Sequence, residues 1–173
     1  MPNCQNCGAY IHSEGWCIKC GISAMKGRKK GETKKRGSDL TKALKRADAL
    51  FSKIIRSKFD RDGFTNCCTC GKPVRTFGGT FGAHCGHLFP KFRYWLHRWD
   101  LRNAGPQCYD CNVNQEGQQI RMFSFLEKVH GQETMAELRQ EIDDFDLKRK
   151  AGIIKSKPDV FFVESEIKRL KSN

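Results

Sequence analysis

Between two Cys-x-x-Cys pairs, Cys67 with Cys70 and Cys108 with Cys111, the chain places His84, His87, His97 and Asn103, and Asn112 follows the last cysteine. These residue types suit hydrolysis of a phosphodiester. The reaction needs a base that takes a proton from water and aims it in line at phosphorus, and an imidazole that titrates near neutrality serves. It also needs a hard cation to neutralise charge on the phosphate and on the departing oxygen. Magnesium prefers oxygen ligands and keeps several waters, so the Asn112 carboxamide oxygen with phosphate oxygens could hold it. On this reading His87 is the base, Asn103 fixes its ring by a hydrogen bond, and Asn112 binds a catalytic Mg²⁺ or Mn²⁺.

Other duties compete for the same side chains. His87 could instead be a zinc ligand with Cys85 or His84 in place of one thiolate, although four paired cysteines already fill a tetrahedral site. An Asn before "AGP" also suits an ordinary turn, which is as good a use of Asn103 as catalysis. Asn112 after a knuckle can cap a helix. The aromatic run Phe92, Tyr94, Trp95 and Trp99 reads as core or as a wall of the site before it reads as a base-stacking platform. Cys68 is most simply a small buried residue or a thiol near the zinc.

Something must hold these residues in place, and the cysteines supply it. Ten cysteines in a secreted chain would mean disulfides, whereas thiols two residues apart in a reducing compartment read as zinc thiolates. Eight fall into four pairs: Cys4 with Cys7, Cys17 with Cys20, Cys67 with Cys70, and Cys108 with Cys111. At four thiolates per ion this gives two structural zinc sites. The second site joins knuckles far apart in sequence and fixes what lies between them. The first makes residues 1–25 a miniature zinc ribbon, too small to fold without metal.

Residues 26–38 hold seven basic and no apolar side chains, which makes them a flexible linker. Residues 39–173 are the third part. Ser38 or Asp39 caps a helix with Leu40, Leu44, Ala47, Phe51, Ile54 and Ile55 at helical spacing, and its other face carries Lys42, Lys45, Arg46, Lys53 and Arg56. "RTFGGTFGAHCGHLFP" predicts short strands. A helix is expected from about Asn112 through "QQIRMFSFLEKVHG", another over "ETMAELRQEIDDFDLKRK", and a last one after Pro158 with Phe161, Phe162 and Ile167 facing inward.

The chain has 32 Lys and Arg against 19 Asp and Glu, a formal net charge of +13. Residues 26–58 alone hold 13 basic and 3 acidic side chains, while residues 114–173 balance at 11 of each. Such a stripe attracts a polyanion through counterion release, and nucleic acid is the commonest one. The expected DNA contacts are Lys29, Lys30, Lys34, Lys35 and Arg36 in the linker, Lys45, Arg46 and Lys53 on the helix, and Arg93 and Arg98 beside the aromatic run; surface charge is the plainer role for these last two and Lys91. No apolar run reaches the length of a membrane span and the N-terminus lacks a signal peptide, so a cytoplasmic protein without a membrane partner is expected. A zinc deaminase is excluded, because Gln107 separates Pro106 from Cys108 and His12 sits within the other cysteine cluster.

A histidine on a short strand, an asparagine on the next strand or turn, and a metal ligand on the following helix form the layout of a ββα-metal nuclease site. The predicted fold class is therefore α+β, a small zinc-stapled ββα-metal (HNH) core with flanking helices and an N-terminal zinc ribbon. "CCTCGK", "CGHLFP", "RWDLRNAGPQCYDCN" and "HGQETMAEL", taken in order, resemble the phage NinG (Rap) recombination family, an HNH-like group, from about Leu40 to the C-terminus. The order of the cysteine pairs, histidine and asparagine also looks like that of the phage junction resolvase endonuclease VII. The resemblance implies cutting of branched DNA, such as Holliday junctions and D-loops, inside a bacterial host cell. Symmetric resolution of a four-way junction would favour a homodimer. The sequence departs from many HNH nucleases at Gly86, where an Asp would bind the metal beside Asn112. Either the metal relies on Asn112 and water, as in a one-ligand branch of that superfamily, or His84 or Asp100 supplies a second ligand, with Asn112 the main one. Two rivals remain: a zinc-ribbon nucleic-acid binder without catalysis, and a nuclease of ordinary duplex.

Overall fold

The computed structural model describes residues 38–172. Helix α1 (Asp39–Lys58) begins where Ser38 Oγ accepts the Thr41 backbone N–H at 3.3 Å, which satisfies one of the free donors of the first turn. Its buried stripe is Ala43, Ala47, Phe51 and Ile55, with Leu40, Leu44 and Ile54 half-buried at its edges. Strands β1 (Phe64–Asn66) and β2 (Pro73–Arg75) pair antiparallel, with Thr65 opposite Val74. Between them Cys67 O accepts from Gly71 N at 2.8 Å and Lys72 O from Cys67 N at 2.9 Å, forming the first knuckle. Gly71 has φ +74°, which a side chain would resist.

A second antiparallel pair follows, β3 (His84–His87) with β4 (Ala104–Gln107), in the register His84 opposite Gln107 and His87 opposite Ala104. Cys68 N donates to Pro106 O at 2.8 Å, which ties the first knuckle to the edge of this pair. Pro106 has no N–H to contribute, so its carbonyl is the group available there. The chain then turns through the second knuckle into one π-helical turn, Asp110–Asn114.

Three helices complete the unit: α2 (Gln119–His130), α3 (Gln132–Lys150) and α4 (Val160–Lys171). Helix α4 is capped by Asp159, whose carboxylate accepts Phe162 N at 2.9 Å, and it packs on α1 through Val163, Ile167 and Leu170, beside Trp99. Met122 and Leu126 of α2 and Met135, Leu138, Ile142 and Phe145 of α3 close a second core over Leu88 and Tyr94. The described residues are thus mixed helix and small antiparallel sheets, an α+β arrangement. No helix among them is long and apolar enough to cross a membrane.

Two expectations need correction. The helix expected from Asn112 is interrupted, because Glu116, Gly117 and Gln118 all take positive φ before α2 starts. The cause is tertiary: Gln107 Nε2 donates to Gly117 O at 2.7 Å and holds the reversal against β4. Phe161 does not face inward but is 84% exposed, whereas Phe162 stacks on Trp99 with ring centroids 6.4 Å apart.

Gly86 has a steric explanation. A Cβ there would lie 1.9 Å from Gln107 Oε1, and Gln107 is fully buried. Gly86→Ala is expected to lower unfolding stability by about 1–3 kcal/mol, as overpacked cores do. Denaturant titration checks this, and adding Gln107→Ala is expected to recover part of the loss.

Candidate active site

The sulphur atoms of Cys67, Cys70, Cys108 and Cys111 all lie within 4.8 Å of one another. Cys70 and Cys108, from opposite knuckles, are 3.9 Å apart at sulphur. Metal–sulphur bonds of about 2.3 Å in a tetrahedron separate the ligands by about 3.8 Å, so the cluster has the size for a metal ion such as zinc. Burial pushes the Cys111 thiol up to about 12. At Cys67 burial acts the same way, but the Thr69 hydroxyl, 3.1 Å from its sulphur, and nearby backbone groups prevail and hold the thiol at about 6. A bound cation displaces the remaining protons, which couples metal affinity to pH. Neither His84, Cys85 nor His87 belongs to this cluster.

Beside β3 and α1 lies an open cavity of about 580 Å³. Its walls are Asp48, Ser52 and Arg56 of α1, the Gly79–Ala83 loop, His84, Cys85 and His87 of β3, Lys91, and Asn112 of the π turn. His87 and Asn112, distant in sequence, thus share one cavity with His84. Cys85 also lines it, but burial pushes its thiol up to about 12, which leaves it protonated and a poor nucleophile.

The His87 ring packs against Phe51 with centroids 5.8 Å apart, and its Nε2 is 2.9 Å from the Arg98 carbonyl oxygen. A carbonyl only accepts, so Nε2 carries the proton. Burial brings the imidazole down to about 4, so at neutral pH the ring is uncharged. Nδ1 then carries a free lone pair, with no hydrogen-bond partner among the described residues. The base expected to titrate near neutrality is therefore a weaker one in this fold, but a neutral ring with one nitrogen anchored and the other unpartnered can accept a proton from water.

His84 is arranged in parallel. Its Nε2 lies 3.0 Å from Thr80 O, and its Nδ1 lies 3.4 Å from the Asn112 amide nitrogen Nδ2, which donates toward it. Tyr109 packs edge-on to the His84 ring at 5.6 Å. The Asn112 amide nitrogen cannot bind a cation; with the carboxamide turned over, its oxygen and His84 Nδ1 would together be a donor set for a divalent cation, the nitrogen suiting Mn²⁺ better than Mg²⁺. Asp100, the alternative to His84, is turned away: Arg102 holds it through backbone N at 2.8 Å and Nη2 at 2.7 Å, and it does not line the cavity.

Asn103 does not contact His87. It is fully buried, accepting Phe89 N at 2.7 Å and donating to Phe89 O at 3.2 Å and His97 O at 2.9 Å. The ring anchor expected from Asn103 is instead the Arg98 carbonyl, and Asn103 pins the loop that carries it. Arg98 cannot serve as a free DNA contact either, because its buried guanidinium forks onto Asp48 at 2.8 and 2.7 Å. Arg93 pairs with Asp146 at 2.6 Å and Arg46 with Glu164. Lys45 and Lys53 are exposed on α1, as expected. Cys4, Cys7, Cys17, Cys20, Lys29, Lys30, Lys34, Lys35 and Arg36 lie outside the described residues.

Sequence reasoning missed Asp48 and Gln107, while Arg56 and Lys91, read from the sequence as basic side chains of the helix face and of the aromatic run, are found on the cavity wall. Asp48 left one trace, being the only acid of α1 beyond its first residue. Gln107 left none, since a buried carboxamide opposite a glycine is a product of strand register. Comparison of the chain with family models, curated proteins and solved structures found no match.

Two outcomes follow from this geometry. Metal analysis of the full chain is expected to give two zinc ions, with Cys108→Ser removing one and a strong chelator both, each with loss of the cooperative thermal transition. The His87 imidazole titrates near 6.5 when exposed and about 4 in the fold. Between those values the unfolded chain binds more protons, so stability falls as pH drops through that window. In chemical denaturation from pH 7 to 4, His87→Gln is expected to lose that component.

Proposed function

We propose that this chain is a metal-dependent endonuclease of the ββα-metal (HNH) type that hydrolyses DNA phosphodiesters. The observation that carries the reading is the His87 ring, neutral, anchored at Nε2 by the Arg98 carbonyl, and open at Nδ1 into a cavity shared with His84 and Asn112. A zinc-ribbon binder without catalysis has no use for such a histidine.

In the proposed reaction His87 Nδ1 takes the proton from water as its oxygen attacks phosphorus, the P–O ester bond on the opposite side breaks and the departing oxygen takes a proton from solvent, while the Arg98 carbonyl stabilises the charge appearing on the ring. Asn112 and His84 hold a divalent cation, Mn²⁺ or Mg²⁺, whose contribution is to neutralise charge on the phosphate. Arg56 and Lys91 at the cavity wall draw the phosphate in. The four-cysteine cluster is structural and holds zinc. Lys45 and Lys53 continue the positive edge along α1, and Phe77, Phe81 and Phe92, which are 56%, 87% and 78% exposed, offer faces for bases. Phe77 already carries the Arg56 guanidinium over its ring at 5.1 Å. The preference for branched DNA, the phage setting, the bacterial cytoplasm and a homodimeric state rest on the resemblance to the NinG family.

The test is cleavage of a labelled four-way junction and a matched linear duplex with Mg²⁺ or Mn²⁺. Wild type is expected to cut the junction in preference, and His87→Ala to bind it while cutting about 100-fold or more slowly, the usual size of a general-base contribution. Equal cutting of both substrates would favour the duplex nuclease. Tight binding without cutting by either protein would favour the non-catalytic binder.

A further inference from the structure

The carbonyl that anchors His87 is itself held from both sides by one carboxylate on α1. Asp48 Oδ1 accepts Arg98 Nε at 2.8 Å and Trp99 Nε1 at 3.0 Å, and Asp48 Oδ2 accepts Arg98 Nη2 at 2.7 Å and Lys91 Nζ at 3.0 Å. Arg98 and Trp99 are the two residues joined by the peptide whose oxygen receives His87 Nε2–H. Both side chains are buried, at 7% and 1% exposure. Neither can reorient without breaking a charge-assisted or buried hydrogen bond, so the peptide between them is fixed from outside the loop. The preceding carbonyl, His97 O, is fixed separately by Asn103 Nδ2 at 2.9 Å. The carboxylate stays ionised throughout the working range, since the Arg98 and Lys91 hydrogen bonds outweigh burial and bring it down to about 2.

We propose that Asp48 is a positioning residue for His87: by clamping Arg98 and Trp99 it aims the Arg98 carbonyl at Nε2 and thereby keeps the Nδ1 lone pair directed into the cavity. Asp48 does not act on phosphate, and its negative charge is cancelled by the two basic partners it binds. Lys91 does two jobs at this point, neutralising Asp48 from the cavity side while remaining on the wall a phosphate would approach. The proposal deepens the nuclease reading and rests on it for its effect on rate, but its structural part concerns the imidazole alone.

The experiment is nitrogen-15 NMR of the His87 ring in full-length, zinc-loaded protein, alongside cleavage of the junction with Mn²⁺. In wild type the protonated nitrogen is expected to be Nε2. In Asp48→Asn, which keeps the shape and one acceptor, and in Asp48→Ala, the two ring nitrogens are expected to move toward each other as the tautomers mix. Cutting is expected to fall about 10- to 100-fold, the cost of a misplaced reacting group, with KM little changed. Asp48→Glu, which restores the carboxylate, is expected to recover part of both signals. Arg98→Lys, which breaks the fork while Asp48 keeps Trp99, is expected to shift the ring in the same direction and covers the case in which Asp48→Ala fails to fold. A folded Asp48→Asn or Arg98→Lys with wild-type ring nitrogens would overturn the proposal. If the tautomers mix but wild type cuts nothing, the positioning role stands and the nuclease reading is what fails.

Discussion

Four sulphur atoms from two knuckles lie within 4.8 Å of one another, a cluster that could hold a cation such as zinc. Thiols pressed together in a buried place keep their protons or repel as thiolates, and either state works against the closeness the fold imposes. A tetrahedral metal reverses the sign of that interaction. Because one knuckle joins β1 to β2 and the other follows β4, closing the cluster places β4 against the first knuckle, and the Cys68–Pro106 hydrogen bond sets the spacing. The π turn starting at Asp110 then carries Asn112 to the cavity lined by His84, Cys85 and His87 of β3. Without the cluster these short strands would have too few contacts to hold one register.

The second constraint is burial on the α1 side. Phe51 covers one face of the His87 ring and the Arg98 carbonyl takes its proton-bearing nitrogen. Burial removes the ring's charge, and a hydrogen bond from a fixed carbonyl removes its freedom to choose a tautomer. These are separate effects with one result, a lone pair of known direction. The surrounding ion pairs follow a pattern: Arg98 with Asp48, Arg102 with Asp100 and Glu141, and Arg93 with Asp146 all tie the 88–103 segment to a helix or to itself. That segment has only two short 3-10 turns, Trp95–His97 and Leu101–Asn103, so side chains supply much of the order that longer strands and helices obtain from their own hydrogen bonds.

Much of this was legible in the chain, because it depends on local chemistry. The Ser38 cap, the apolar stripe of α1, the two knuckles and the strand through His87 follow from residue type and spacing. The joining of His84, His87 and Asn112 followed from the cysteine pairing, which is a long-range constraint written in a short-range pattern. What could not be read depends on partners distant in sequence. Arg98 looked like a surface cation until Asp48 came beside it. Asn103 looked like a partner for an imidazole, and its three bonds go instead to backbone of Phe89 and His97. The break at Glu116–Gln118 opposes the helical period that surrounds it and is imposed by Gln107.

The nuclease we propose needs a divalent cation held by His84 and Asn112 in the cavity they share with His87, apart from the four-cysteine cluster. The most direct measurement is a crystal structure of the zinc-loaded chain with a non-cleavable junction and Mn²⁺, with anomalous scattering collected at wavelengths that separate manganese from zinc. The account predicts a manganese peak at coordinating distance from the Asn112 carboxamide oxygen and His84 Nδ1, a phosphate beside it, and zinc alone among the cysteines. A phosphate bound elsewhere, or a cavity without manganese while DNA is bound, would contradict it.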